Sequence, residues 1–200
     1  MSNEKTRKAE VEIGQLMSIL TDPYIAAIEA VRADHCGRDI AISAAVQFVE
    51  RLAWQKHCSG GRMIFIGNGG SAAIASHMAE DWMKTAEIAA LCFNDGAALT
   101  CYANDLGFDQ VFAFPMRRHC GKHDLLFAIS SSGESADILR ACDVATEYNM
   151  DMITFSGKQP TNSLRKHGVI NFYVPCEAYG PIEAAHLVLN HAILDYLCRE

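Results

Sequence analysis

Two hundred residues, half of them apolar, suffice for one compact domain with a full core, and no uncharged apolar run of about 18 residues marks a membrane span. A net charge of −7 and a pI near 5.6 exclude a broad nucleic-acid surface, which needs clustered Lys and Arg. Eight cysteines without a C-x-x-C pair, and a polar leader Met1 to Lys8 with no apolar segment behind it, point to reduced thiols, no secretory signal and a cytoplasmic location.

Three helical stretches are expected before residue 61: one to about Leu20, one from Pro23 to about Ala33, and one from Asp39 to about His57. The last has Ile40, Ala44, Phe48 and Leu52 spaced by four. Residues 1–60 therefore read as a helical arm suited to oligomerisation, and 61–200 as an α/β domain. From Met63 onward strands and helices alternate. Candidate strands are Met63 to Ile66, Ala89 to Phe93, Leu125 to Ile129, Met152 to Phe155 and Ile170 to Val174. Their nearly continuous apolar runs imply burial on both faces, and the helices between them make βαβ crossovers. The fold class that follows is a three-layer α/β/α sandwich around a five-stranded parallel sheet. Gly168 and Gly180-Pro181 mark loops, and a helix from about Ile182 to Leu197 closes the chain.

Two of the strand-to-helix turns are built for an anion. After the first strand come Gly67, Asn68, Gly69, Gly70 and Ser71, where glycine permits positive φ and lets backbone N–H groups approach a phosphate at the positive end of the next helix. After the third strand come Ser130, Ser131, Ser132, Gly133, Glu134 and Ser135, with hydroxyls in place of most of the glycines. Two such turns suggest one phosphate held from both sides at the carboxyl edge of a parallel sheet. His77 and Asp81, four residues apart, share a face of the helix behind the first turn. Glu183 and His191 lie eight apart on the last helix, about 80° from each other around an ideal helix.

With Ala103-Asn104-Asp105-Leu106-Gly107-Phe108 and the His-bearing last helix, these motifs resemble the sugar isomerase (SIS) domain family, and the whole chain is similar to its phosphoheptose isomerases. The resemblance implies phosphate binding by Ser71, Ser130, Ser131 and Ser135, and sugar contacts from Asn68, Asp95 and the neighbouring Gly69, Gly70 and Ser132. It implies a divalent metal, zinc above all, on His77, Asp81, Glu183 and His191, a ligand set of nitrogen and oxygen that suits such an ion. Asp81 stands where the family has Glu, and Glu183 where it has Gln. The reaction implied is aldose–ketose isomerisation of sedoheptulose 7-phosphate, with Asp81 or Glu183 as base and His191 as acid, in a homotetramer. The alternatives are isomerisation of another phosphosugar, or a non-catalytic sugar-phosphate sensor or scaffold.

Overall fold

The computed structural model describes residues 2–199, with side chains from residue 14 onward, so the side chains of the polar leader lie outside the described residues. The strands are β1 (Arg32–His35), β2 (Arg38–Ile40), β3 (Met63–Gly67), β4 (Ala90–Cys92), β5 (Leu125–Ser130), β6 (Asp151–Gly157) and β7 (Ile170–Val174). The helices are α1 (Ser2–Glu29), α2 (Ile42–Cys58), α3 (Gly70–Thr85), α4 (Gly96–Leu106), α5 (Ala113–His119), α6 (Ala136–Glu147) and α7 (Tyr179–Leu197). One sheet runs in the order β2-β1-β7-β6-β5-β3-β4.

All five expected strands are present and mutually parallel. Alternation along them feeds two cores. Phe65, Phe127, Phe155 and Phe172 point toward α2, α3 and α7, whereas Ile64, Ile66, Leu126 and Ala128 point toward the α5 and α6 side. The four phenylalanines form a stacked row across β3, β5, β6 and β7, with centroid separations of 4.6, 6.5 and 5.2 Å, and Trp82 of α3 lies against its first two members. Each aromatic pair adds about 0.5–1.5 kcal/mol beyond its buried area, so the row pins the register that aligns the strand ends.

The sheet has seven strands rather than five. The extra pair is an antiparallel hairpin, β1–β2, inside the segment read as helical, and β1 docks antiparallel on β7. Cys36 at φ 50° and Gly37 at φ 78° make the tight turn that two-residue hairpins favour. Asp34, 2% exposed, holds the hairpin in place: its carboxylate accepts from Asn171 Nδ2 at 2.8 Å and from the Gly37 N–H at 2.9 Å, and pairs with Arg165 at 2.8 Å. Two helix boundaries also differ from expectation. α1 runs through Pro23 as one helix, and α7 begins at Tyr179, with Pro181 in its first turn, where an N–H has no intrahelical partner to lose.

α7 lies under β6 and buries His186 completely. His186 Nε2 is 3.1 Å from the Ser156 carbonyl, so Nε2 carries the proton, and Nδ1 has no partner among the described residues. Burial pushes this imidazole down to about 4, against a small upward pull from the Ser156 carbonyl. An unfolded histidine titrates near 6.5, so the unfolded chain takes up a proton that the fold refuses; stability is complete above that pH and is lost as pH falls toward 4. Between pH 7 and pH 4.5 wild type should therefore lose about 2–3 kcal/mol that His186→Gln, which keeps a donor for Ser156, does not lose. Urea titrations of both proteins at the two pH values measure the difference, and equal losses would contradict it.

Candidate functional site

Gly67 at the end of β3 pairs with Ile129 near the end of β5. The chain leaves these neighbours on opposite faces of the sheet, α3 toward the phenylalanine row and α6 toward the other core. Adjacent parallel strands with diverging connections open a crevice at their carboxyl ends, the usual ligand position in such sheets. Here it is a cavity of about 300 Å³. Asn68, Gly69, Gly70 and Ser71 form one wall, Ser130, Ser131, Ser132 and Ser135 the other, and Tyr179 and Glu183 of α7 close it.

This cavity is an anion cradle without a cation, since its lining contains no Lys or Arg. Gly69, at φ 54°, caps α3 without a side chain; the Ser71, Ala72 and Ala73 N–H groups donate to the Asn68 and Gly69 carbonyls at 2.9–3.2 Å, so the helix start offers a ligand chiefly its positive dipole end. Ser130 Oγ accepts from the Gly133 N–H and touches Ser135 Oγ, both at 3.2 Å, and Ser132 Oγ accepts from the Glu134 N–H at 3.2 Å. Ser131 is 6% exposed and its Oγ has no partner among the described residues. An unmatched buried hydroxyl costs about 1–3 kcal/mol, a deficit that an acceptor oxygen in the cavity would cancel.

A carboxylate not singled out from the sequence joins the two walls. Asp137, 2% exposed in the first turn of α6, accepts from Asn68 Nδ2 with both carboxylate oxygens, at 3.0 and 2.8 Å. Burial pushes its pKa up, and the Asn68 hydrogen bond pulls it back. An acid in a first helical turn is ordinary, so nothing in the chain advertised this role. Asp95 does not line the cavity: it is exposed and caps α4, Oδ1 accepting from the Ala98 N–H at 2.9 Å. Its neighbour Asn94 reaches α3 instead, donating to the Ala72 carbonyl and Ser76 Oγ, both at 2.9 Å.

Beyond the cradle a second cavity, about 440 Å³, runs past Ala73 and Ile74 to His77, and Gly70 and Glu183 border both. There α3 and α7 bring three of the four expected ligands together. His77 Nε2 is 3.4 Å and His191 Nδ1 3.8 Å from Asp81 Oδ2, and the imidazole centroids are 5.1 Å apart. One ligand atom from each of the three lies within 4.8 Å of the others, a spacing that one ion can bridge. Glu183 is not in this cluster. Its carboxylate packs against Gly70, so close that a Cβ there would overlap it.

The SIS domain family model matches residues 38–157. The phosphoheptose isomerase of Thiobacillus denitrificans is 33% identical over 163 residues, which cover 78% of this chain and 83% of that one. The phosphoheptose isomerase of Neisseria gonorrhoeae is 33% identical over 175 residues, covering 84% of this chain and 88% of that one. A solved structure of the phosphoheptose isomerase from Neisseria gonorrhoeae superposes with a TM-score of 0.77 at 28% identity, over 92% of this chain and 98% of that one. Similarity of this extent, in sequence and over the whole fold, means that the chain belongs to the SIS-domain family, beside the phosphoheptose isomerases.

Proposed function

We propose that the protein is a sugar-phosphate aldose–ketose isomerase that converts sedoheptulose 7-phosphate to D-glycero-D-manno-heptose 7-phosphate. The observation that carries this reading is the spacing along α3, which starts in the cradle at Gly70 and carries His77 in the second cavity. At 1.5 Å per residue His77 lies about 10 Å down the helix, and the Asp81 side chain, leaning toward the helix start, comes back to its level. An extended chain advances about 1.2 Å per bond, so a heptulose 7-phosphate held by its phosphate places C2 and C1 about 8–10 Å away. A five-carbon ketose phosphate falls about 2.4 Å short on the same scale. Another phosphosugar is the second reading, favoured by Asp81 and Glu183, which stand where the family has Glu and Gln; a non-catalytic sensor has no need for the convergence of His77, Asp81 and His191.

Two imidazoles and one carboxylate suit zinc, held by His77, Asp81 and His191, with Glu183 outside the set as the side chains stand. Such an ion would polarise the substrate carbonyl. The chain's own groups move the protons. Both ion-pair distances at Asp81 involve Oδ2, which leaves Oδ1 free to act as base. Asp81 takes the C1 proton, the electrons of that C–H bond form the C1=C2 bond, and the C2 oxygen takes a proton from His191. Asp81 then returns its proton to C2 while the O1 proton passes to His191, leaving an aldehyde at C1. Glu183, bordering both cavities, faces the middle of the sugar chain.

The working unit in this proposal is a cytoplasmic homotetramer, with residues 1–60 as its assembly arm. The support is the outer face of α1, where Leu16, Met17, Ile19, Leu20, Tyr24 and Ile25 are all 42–70% exposed. A clustered apolar face of this kind favours burial against another copy in a closed symmetric assembly.

Three outcomes are expected. Ser71→Ala and Ser131→Ala should each weaken inorganic phosphate binding about 10- to 100-fold in calorimetry, since each removes a donor to a charged acceptor worth about 1.5–3 kcal/mol, while leaving the thermal midpoint nearly unchanged. Unaltered affinity in both would remove the cradle. With zinc present, turnover should fall from sedoheptulose 7-phosphate to fructose 6-phosphate to ribulose 5-phosphate, chelation should abolish it, and His191→Ala should lower kcat about 100-fold or more with a smaller change in KM. Activity that survives both chelation and His191→Ala would refute the assignment. Light scattering at micromolar concentration should give four times the chain mass, and the Ile19→Glu, Leu20→Glu double variant a smaller particle; a wild-type monomer would refute the assembly.

A further inference from the structure

We infer that Asp137 is a positioning residue that fixes which end of the Asn68 amide faces the ligand, and thereby makes the cradle select a phosphate that carries hydroxyls. The inference rests on the sugar-phosphate reading of the cavity. Asn68 Nδ2 donates to both oxygens of the Asp137 carboxylate, at 3.0 and 2.8 Å. A carboxylate accepts and does not donate, so the pairing admits one orientation of the amide, nitrogen toward Asp137. The other end, Oδ1, has no hydrogen-bond partner among the described residues, is not among the buried unpartnered atoms, and belongs to a residue lining the cavity. Oδ1 is a pure acceptor. It repels a phosphate oxygen and attracts a hydroxyl proton, so its match is a hydroxyl on the carbons next to the phosphate, not the phosphate itself.

Without the latch the amide is free to turn. Its Nδ2 can then face the cavity, where it serves a bare phosphate and offers nothing to the lone pair geometry that a fixed Oδ1 provided for a sugar hydroxyl. Asp137 is also a buried carboxylate beside an anion site, and a negative charge there opposes a dianion. Removing it should therefore shift the two ligand classes in opposite senses. The sugar phosphate loses an oriented acceptor, and the inorganic ion loses a repulsive neighbour.

The test compares sedoheptulose 7-phosphate with inorganic phosphate by calorimetry on the full-length protein. Asp137→Ala should weaken the sugar phosphate about tenfold and leave inorganic phosphate unchanged or tighter. Asp137→Asn retains a carbonyl acceptor for Asn68 Nδ2 and should hold sugar-phosphate affinity within about threefold. Because Asp137 acts through Asn68, the Asn68→Ala, Asp137→Ala double variant should bind the sugar phosphate no worse than Asn68→Ala alone. A purely structural Asp137 would weaken both ligands together, and that result overturns the inference, as do additive losses in the double variant or an Asp137→Asn as impaired as Asp137→Ala. The substrate reading is judged separately, by whether wild type prefers sedoheptulose 7-phosphate to fructose 6-phosphate and ribulose 5-phosphate. The Asp137 comparison is made with whichever of the three binds, and a wild type that binds none of them overturns both.

Discussion

The parallel pairing of β3 with β5 is the constraint on which the site depends. These strands are sequence neighbours only through β4, which lies on the far side of β3, so the sheet grows in opposite directions from their shared edge. The helices that follow them must leave by opposite faces, and the two serine-bearing turns are left facing each other with no backbone between them. Slipping this pair by one residue would exchange the phenylalanine row for the isoleucines on each face, an error that both cores oppose. Core packing thus sets the width of the cradle. The Asn68–Asp137 contact then ties the walls at the point where strand pairing ends.

An acidic chain that receives a dianion has an electrostatic problem, and the two nearest carboxylates sharpen it. Asp137 and Glu183 both stand at the cradle, with no lysine or arginine in the lining to offset them. The answer lies in fixed dipoles and hydroxyl donors. A helix end acts as a fraction of a charge at a fixed place, and buried serines reorient their protons toward whatever oxygen arrives. Such a site favours a ligand that also brings hydroxyls for the acceptors around it, because a bare phosphate meets the carboxylates and gains nothing from them. Selectivity against inorganic phosphate follows from the same charges that weaken the site in absolute terms.

Much of this was legible in the chain. Five apolar runs read as parallel strands and are such, though β4 is an edge strand, and the glycines and serines behind β3 and β5 read as turns, which the structure brings together around one cavity. The hairpin was not legible, because Arg32–His35 and Arg38–Ile40 are short and polar, and the reason they pair is Asp34, whose partners Arg165 and Asn171 lie far along the chain. Asp137 was hidden for the same reason: its meaning is a contact with Asn68, 69 residues away. Asp95 shows the converse, since an aspartate before a helix serves equally as a cap, and it caps α4. Local chemistry shows in a sequence where periodicity or glycine demands it, and is silent where a single side chain meets another across the fold.

The separation of Glu183 from His191 shows how helix geometry decides chemistry. Eight residues on an ideal helix put their side chains about 80° apart, so α7 cannot send both to one point without distortion. It sends His191 to the cluster on α3 and Glu183 to the edge of the cradle, against Gly70. Only glycine leaves room there. Had α3 begun with any larger residue, the carboxylate would have been driven toward His77, into the space between the two cavities. Gly70 therefore gives Glu183 a place beside the positive end of α3. A phosphate that enters must share that helix end with the carboxylate or displace it, and the second cavity, which Glu183 also borders, is the open direction for a displaced Glu183, toward His77.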